Sequence, residues 1–256
     1  MSKENGNWDS AFVCLDNLSK SIGTQDILSG VSLEIRKGET MVLIGSSGGG
    51  KSVTLKHITG LMKPDNGRVL IKGQDIASLT ARQLAAVRQR IGLLFQNGAL
   101  FDSMTVGQNV AFPLRERTQG APEKLIEKVI EALKLVNLEG HINKMPVDLS
   151  GGMRKRVALA RAMITHPELM LYDEPTAGLD PVASGAIDKL ILQMQENYGV
   201  TSVVVTHDMK SAEKIADRIA FLHKGRVYFC GTPEELRDCG DSVVTNFISG
   251  HSGLPS

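Results

Sequence analysis

An α/β fold built around a parallel sheet follows from three features of this 256-residue chain. Short apolar runs bounded by turn residues recur along it, and several are separated by segments with helical spacing. A glycine-rich loop, "GSSGGGKS" at Gly45 to Ser52, joins the strand-like "TMVLIG" to the helix-compatible "KSVTLKHITG". Hydrophobic residues make up 42% of the chain, which suits one large domain with a real core.

The apolar runs are "AFVCLD", "VSLEI", "TMVLIG", "RVLIKG", "IGLLFQ", "LMLYDEP", "TSVVVTH", "RIAFLH" and "RVYFC". Early and late runs lie close together around Lys72-Gly73 and Lys224-Gly225, which predicts antiparallel hairpins beside the parallel core. Residues 97–149 break the rhythm. They carry a loop containing Gly and Asn, then the helical pattern "APEKLIEKVIEALKLVNL", with Pro122 suited to a first turn. A mostly helical insertion is expected here, extending through the next helix to about residue 160. Phe95, Phe101 and Phe112 flank its start, and at least two of them are expected in the core. The end of the chain, "FISGHSGLPS", has no periodicity, so a single domain over 1–248 with a flexible tail at 249–256 is predicted.

The formal net charge of +1 gives no electrostatic footprint for nucleic acid. The local run "RKR" at Arg154 to Arg156 is expected to be a solvated helix face. Cys14, Cys230 and Cys239 are odd in number and form no CxxC pair, so neither a disulfide framework nor a zinc site is expected, and a reducing compartment fits. The polar N-terminus does not read as a secretory signal, and no apolar stretch approaches the ~18 residues of a membrane span. A soluble protein, or one held to a membrane by a partner, is expected.

The glycine-rich loop carries the strongest chemical signal. Without Cβ atoms, Gly45, Gly48, Gly49 and Gly50 let the backbone wrap phosphate oxygens, and the N–H groups opening the next helix point at the anion. Lys51 adds charge for the β- and γ-phosphates, and Ser52 offers a hydroxyl to Mg²⁺. The candidate phosphate-binding set is Gly45, Ser46, Ser47, Gly48, Gly49, Gly50, Lys51, Ser52 and Val53. Downstream, "LMLYDEP" places Asp173 and Glu174 at the end of a buried-looking strand, where an open α/β sheet presents ligands. Asp173 suits Mg²⁺, and Glu174 suits the polarisation of an attacking water. Ser150, Gly151 and Gly152 open a further helix. In isolation they read as an ordinary capped helix more readily than as a second anion site.

Taken together, Gly45–Ser52, Gln96 after a strand, "LSGGM" at Leu149–Met153, "LMLYDEP", "AGLD" at Ala177–Asp180 and His207 in "VVVTHD" stand in the order and spacing of an ABC-type ATPase. The resemblance spans nearly the whole chain. It implies a P-loop NTPase core of the RecA-like kind with a parallel sheet, an antiparallel β subdomain and an inserted helical subdomain. It also implies ATP and Mg²⁺ as ligands and a homodimer in which two cassettes sandwich two ATP molecules head to tail. Ser150, Gly151 and Gly152 would then meet the γ-phosphate held on the opposite subunit. His207 would hold the γ-phosphate and attacking water, Gln96 would sense Mg²⁺ and water, and Asp180 would contact the partner cassette. Ser52, Gln96 and Asp173 form the expected metal set.

Three positions depart from the common pattern of the family. Met153 stands where Gln is usual, and Ala177 where Ser often opens its loop. Ile22 stands where an aromatic platform usually meets adenine, so nucleotide affinity is expected to rest on the phosphates, stacking being worth about 1–3 kcal/mol per base. The segment "LLFQNGALFDSMTVGQNVAFPLRE", with "LSGGMRKRVALARA", looks like the ATPases that serve MCE-protein systems of the Mla type, which move phospholipids across the Gram-negative envelope. The partners implied are integral membrane permease subunits, an MCE-domain lipid-binding protein and a small STAS-domain protein, with the chain peripheral on the cytoplasmic face of the inner membrane. Cassettes of importers for amino acids or other small solutes share every motif and remain an alternative, as does a soluble non-transport ABC protein.

Overall fold

The structure, a computed structural model, describes residues 11–115 and 122–249. A four-stranded antiparallel sheet comes first: β1 (Ala11–Ile22), β2 (Gln25–Arg36), β4 (Asn66–Ile71) and β5 (Gln74–Asp75), in spatial order β2-β1-β4-β5. β3 (Thr40–Gly45) leaves it for a six-stranded sheet that also holds β6 (Ile91–Leu94), β7 (Leu169–Asp173), β8 (Thr201–Val205), β9 (Arg218–His223) and β10 (Arg226–Gly231). The order there is β10-β9-β3-β8-β7-β6, with every pair parallel except the terminal β10/β9.

The parallel strands read as unbroken apolar runs because both faces of their sheet are covered. Alternate residues feed two cores. Val42, Ile44, Met170, Tyr172, Val204 and Phe221 face one core, whereas Met41, Leu43, Leu171, Val203, Val205 and Leu222 face the other. The second core is closed by the antiparallel sheet through Val13, Leu15, Leu33 and Ile35, and by α1 (Lys51–Ile58) through Leu55 and Ile58. A one-residue slip of β3 would exchange its two faces, so the strand that delivers the glycine loop is fixed in register by burial on both sides.

Between β6 and β7 run α3 (Val106–Arg115), α4 (Pro122–Leu135) and α5 (Gly151–Met163), packed on one another through Val110, Val129, Leu133 and Val157. The remaining helices are α2 (Ala81–Arg88), α6 (Pro181–Tyr198), α7 (Met209–Ile215), α8 (Pro233–Arg237) and α9 (Ser242–Ile248).

The hairpins expected at Lys72-Gly73 and Lys224-Gly225 form between β4 and β5 and between β9 and β10. Both turns place two successive residues at positive φ (51° and 75°, 48° and 72°), the left-handed pair that a two-residue hairpin needs. Other expectations require correction. β1 continues to Ile22, well past "AFVCLD", through a bulge marked by the left-handed Asn17 and by register shifts around Leu18. The bulge interrupts the period-two pattern, which is why "NLSKSI" does not read as strand. Phe95 and Phe101 are 43% and 42% exposed and Phe112 is half-buried, so none is a core residue. They line an open groove of about 450 Å³ with Pro113 and Arg161. Finally, "FISGHSGLPS" begins inside α9, where Asp241 caps the amides of Val243 and Val244 and Phe247 stacks on Phe221 at 4.6 Å. The rest of that segment, 250–256, lies outside the described residues.

Candidate functional site

The sheet brings the phosphate loop and the acidic pair to one edge because β3, β7 and β8 are parallel neighbours ending together. Gly45 closes β3 at φ 153°, and a Cβ there would lie 2.3 Å from the carbonyl oxygen of Leu222 on β9. Gly50, at φ 93°, would meet Leu28 at 2.4 Å and the Ile27 oxygen at 3.0 Å. Two strands from different sheets thus press the loop from either side, and only glycine fits at its ends. Gly48, exposed at the crest, has nothing within 4 Å of its Cβ direction.

α1 then starts with Gly50 as N-cap, with no side-chain cap and no acidic residue in its first turn. Its leading amides are therefore left for an anion from outside the helix. Lys51 is buried, and its Nζ donates to the oxygens of Gly45 (2.8 Å) and Ser46 (3.0 Å). Burial lowers its pKa from the ordinary lysine range, while the carboxylates of Glu174 and Asp173 work in the opposite direction. Ser46 and Ser47 are exposed on the same loop. Val53 packs on the second core, and its oxygen bonds to His57 Nδ1 at 2.8 Å.

Ser52 Oγ donates to Asp173 Oδ1 at 2.9 Å, so the hydroxyl and the carboxylate expected around a metal are already paired. Among the described residues no group of three or more His, Cys, Asp or Glu side chains could by itself hold a metal. A hydroxyl and one carboxylate suit Mg²⁺, which completes its shell with phosphate oxygens and water.

Glu174 follows at φ 51°, a left-handed conformation that costs a non-glycine residue of order 1–3 kcal/mol and clusters at functional sites. It is held there from behind, its amide donating to Val205 O at 2.9 Å. His207 Nδ1 lies 2.8 Å from Glu174 Oε2, and this buried oxygen accepts no hydrogen bond. A buried carboxylate oxygen without a donor fits a water molecule between it and a substrate. His207 itself is mostly exposed, just ahead of Asp208, whose side chain caps α7 at Lys210 and Ser211.

The other expected site residues sit on other elements. Ile22 ends β1, 50% exposed and paired with Gln25, in the hairpin whose second strand presses on Gly50. Gln96 is exposed two residues past β6. Ser150 caps α5 by accepting from the Met153 amide at 3.3 Å, and Gly151 and Gly152 pack towards Leu179 and Ala183. Asp180 Oδ1 caps α6 through the amides of Val182 (2.9 Å) and Ala183 (3.0 Å). Ser150–Gly152 and Asp180 therefore lie together with the segment that follows Glu174.

The "RKR" run is a solvated face only in part, for Arg154 is exposed, Arg156 is half-buried and Lys155 is buried. Arg154 donates to Leu149 O (2.7 Å), Arg156 donates to Val136 O (3.0 Å), and Lys155 is only 6% exposed. Three consecutive helical residues point in three directions, so one of them had to meet the core. Sequence reasoning also passed over Asn109, fully buried, whose side chain accepts from Phe101 N and donates to the oxygens of Phe101, Met104 and Thr105. A lone Asn inside an apolar-periodic helix is the only sequence signal for it.

Comparisons with known proteins agree with this geometry. The ABC transporter family profile matches residues 28–177. The chain is 42% identical over 233 residues to a probable ribonucleotide transport ATP-binding protein, mkl, of Mycobacterium leprae, covering 91% of this chain and 67% of that one. It is 41% identical over 240 residues to the intermembrane phospholipid transport system ATP-binding protein MlaF of Haemophilus influenzae, covering 93% and 90%. The dimeric post-hydrolysis structure of the ATP-binding cassette MJ0796 bound to ADP and Pi superposes with a TM-score of 0.79 at 36% identity, over 86% of this chain and 98% of that one. With the family profile over more than half of the chain and relatives above 40% identity over nine tenths of it, the chain belongs to the ABC transporter family of ATP-binding subunits.

Proposed function

We propose that the chain is the ATP-hydrolysing subunit of an ABC transporter that moves phospholipids across a Gram-negative envelope. It acts as a dimer on a permease dimer at the cytoplasmic face of the inner membrane. The observation that carries the hydrolytic part is the buried Glu174 Oε2, left without a donor at the end of β7 beside the Ser52–Asp173 pair. In this reading Gly45–Val53 and Lys51 bind the phosphates. Ser52 and Asp173, with Gln96, would hold Mg²⁺, which would neutralise phosphate charge. Water attacks the γ-phosphorus and gives its proton to Glu174, and the bond to the β-phosphate oxygen breaks. His207 orients Glu174 and the water. Ser150, Gly151 and Gly152 complete the site of a second copy, with Asp180 against the partner.

The phospholipid assignment is supported by the similarity to MlaF, which is as high as that to the mycobacterial relative but runs over nine tenths of both chains. The groove of Phe95, Phe101 and Phe112 supports a membrane partner. The exposed Phe101 lies under the Arg161 guanidinium and 4.8 Å from the half-buried Phe112, and no helix of the described residues is long and apolar enough to cross a membrane. A permease loop fits this groove, and an MCE-domain protein and a small STAS-domain protein complete the assembly.

Two measurements test this. Glu174→Gln should lower phosphate release by about a hundredfold or more while the protein still binds ATP and sediments as a nucleotide-bound dimer. Near-normal turnover rules Glu174 out as the base. Purification of the tagged chain from membranes in mild detergent, followed by mass spectrometry of polypeptides and lipids, should recover a permease with bound phospholipid. A permease for another solute would keep the ATPase and discard the lipid.

A further inference from the structure

Lys155 is a charged side chain that no part of the proposed hydrolysis uses. It sits one turn into α5 and is almost fully buried, and its Nζ donates to two main-chain oxygens, Glu174 O at 3.2 Å and Ala177 O at 2.7 Å. These two oxygens bracket the turn Glu174-Pro175-Thr176-Ala177. The turn's own closing bond, Ala177 N to Glu174 O, is long at 3.3 Å, and the turn begins with Glu174 in a left-handed conformation. A strained residue persists only where its surroundings over-determine it. Behind Glu174 that constraint comes from Val205; ahead of it comes the Lys155 ammonium. Bonds from an ammonium to carbonyl oxygens are charge-assisted and gain strength in a low-dielectric interior. Burial lowers the Lys155 pKa, and the Glu174 carboxylate counteracts this, so the two charges sense one another through the fold.

The helix carrying Lys155 is the one that starts at Ser150. Gly151 and Lys155 are four residues apart and so share a face. Gly151 and Gly152 pack towards Leu179 and Ala183, while Lys155 holds Glu174 and Ala177. The first turns of α5 therefore grip the segment from Glu174 to Ala183 at both ends.

We propose that Lys155 is a positioning residue that ties the Glu174 turn to α5, so that the carboxylate serving one ATP is set by the helix whose N-terminus serves the other. The inference rests on the roles given above to Glu174 and to Ser150–Gly152. In a head-to-tail dimer it makes each cassette a rigid link between the two sites. An anion docking at Ser150 on one side and the posture of Glu174 on the other become one event, without any change in how tightly the glycine loop binds nucleotide.

The test uses the full chain and two substitutions. Lys155→Met keeps an unbranched apolar chain as far as the ε-carbon and removes the charge and donors. Lys155→Gln is one atom shorter and neutral but keeps an amide donor. In the nucleotide-free protein, hydrogen exchange of the Ala177 and Leu179 amides should speed up by about tenfold in Lys155→Met, with the β3 and β8 amides unchanged. With ATP, turnover should fall on the order of tenfold to a hundredfold, while affinity for a fluorescent ATP analogue stays within about twofold of the wild type. Lys155→Gln should lie between on both readouts, and it decides the matter where the Met variant is insoluble. Wild-type exchange and turnover in either variant would overturn the proposal. So would a loss of protection spread over the whole sheet, or a fall in nucleotide affinity that tracks the fall in turnover. Failure of the Glu174 assignment is seen separately, as turnover by Glu174→Gln, and does not touch the exchange readout.

Discussion

Two helices in this chain open on glycines, and they treat the same physical problem in opposite ways. α1 begins at Gly50 with no side-chain cap, so its leading amides depend on an anion. α5 begins at Ser150, whose hydroxyl already accepts from Met153 N. Each has a buried lysine within its first turns that donates to two carbonyl oxygens, but Lys51 folds back onto its own loop, whereas Lys155 turns away from its N-terminus to the Glu174 turn. Near the α1 terminus Asp173 accepts from Ser52, and the carboxylates of Glu174 and Asp173 act on Lys51. The α5 terminus stands alone on a surface with Asp180 and the exposed Val182. A helix end whose cap is already satisfied from within the chain fits a role completed by a second copy.

The comparison breaks most directly at Lys51. Lys51→Ala should reduce ATP turnover on the order of a hundredfold or more and abolish high-affinity nucleotide binding, because the charge over the β- and γ-phosphates is lost. Phosphate release and a nucleotide titration read both effects, and unchanged activity would undo the loop assignment. Next comes a pair of identical substitutions. Gly50→Ala forces a side chain into φ 93° with its Cβ 2.4 Å from Leu28 Cδ2, and should cost about 1–3 kcal/mol of stability along with nucleotide affinity. Gly152→Ala lies inside a helix, where the gain in propensity of roughly 1 kcal/mol offsets a 3.1 Å contact with Ala183 Cβ. Its stability should stay within about 0.5 kcal/mol of wild type, with nucleotide affinity intact and turnover reduced. Equal melting shifts for the two variants would show that the two glycine-led termini are built alike.

Much of this was legible because it depends on spacing. Gly45–Ser52 sits between strand and helix, and the Lys72-Gly73 and Lys224-Gly225 turns have the residue types that a left-handed pair requires, so the structure returns them where the pattern put them. What was not legible depends on which side of an element meets a neighbour. "RKR" has the composition of a solvated face, but no pattern of charge reveals that Lys155 lies under the Glu174 turn. Phe95, Phe101 and Phe112 have the composition of core, but the chain folds so that they face a groove. β1 was cut short because its bulge at Asn17 shifts the alternation by one residue. The sequence also places Asp173 and Glu174 next to each other and suggests a metal role for one and a base role for the other, but not the backbone turn that parts their carboxylates. The left-handed φ of Glu174 turns its carboxylate towards His207 and leaves Asp173 with Ser52.

The smallest expected effect is also the sharpest test of the α1 side. In the folded protein Lys51 has a pKa below the ordinary lysine value of 10.5, with burial as the main cause. Below the folded-state pKa both folded and unfolded states hold the proton, so the cost of burying the ammonium is fully present. As pH rises from the folded-state pKa towards 10.5, the unfolded chain binds more protons than the folded one, stability rises with pH, and the cost is relieved. Lys51→Met, which keeps the shape without the charge, should therefore melt higher than wild type in the absence of nucleotide at pH 7, by about 2–4 °C. That margin should narrow as pH approaches 10.5. Saturating ATP should reverse the order at pH 7, because only the wild type gains stability by binding. A Met variant that melts lower without nucleotide would mean that the Lys51 bonds to Gly45 and Ser46 outweigh its desolvation, and that the loop is braced by its lysine as the Glu174 turn is braced by Lys155. The contrast between a site that waits for its ligand and a brace that is already satisfied would then disappear.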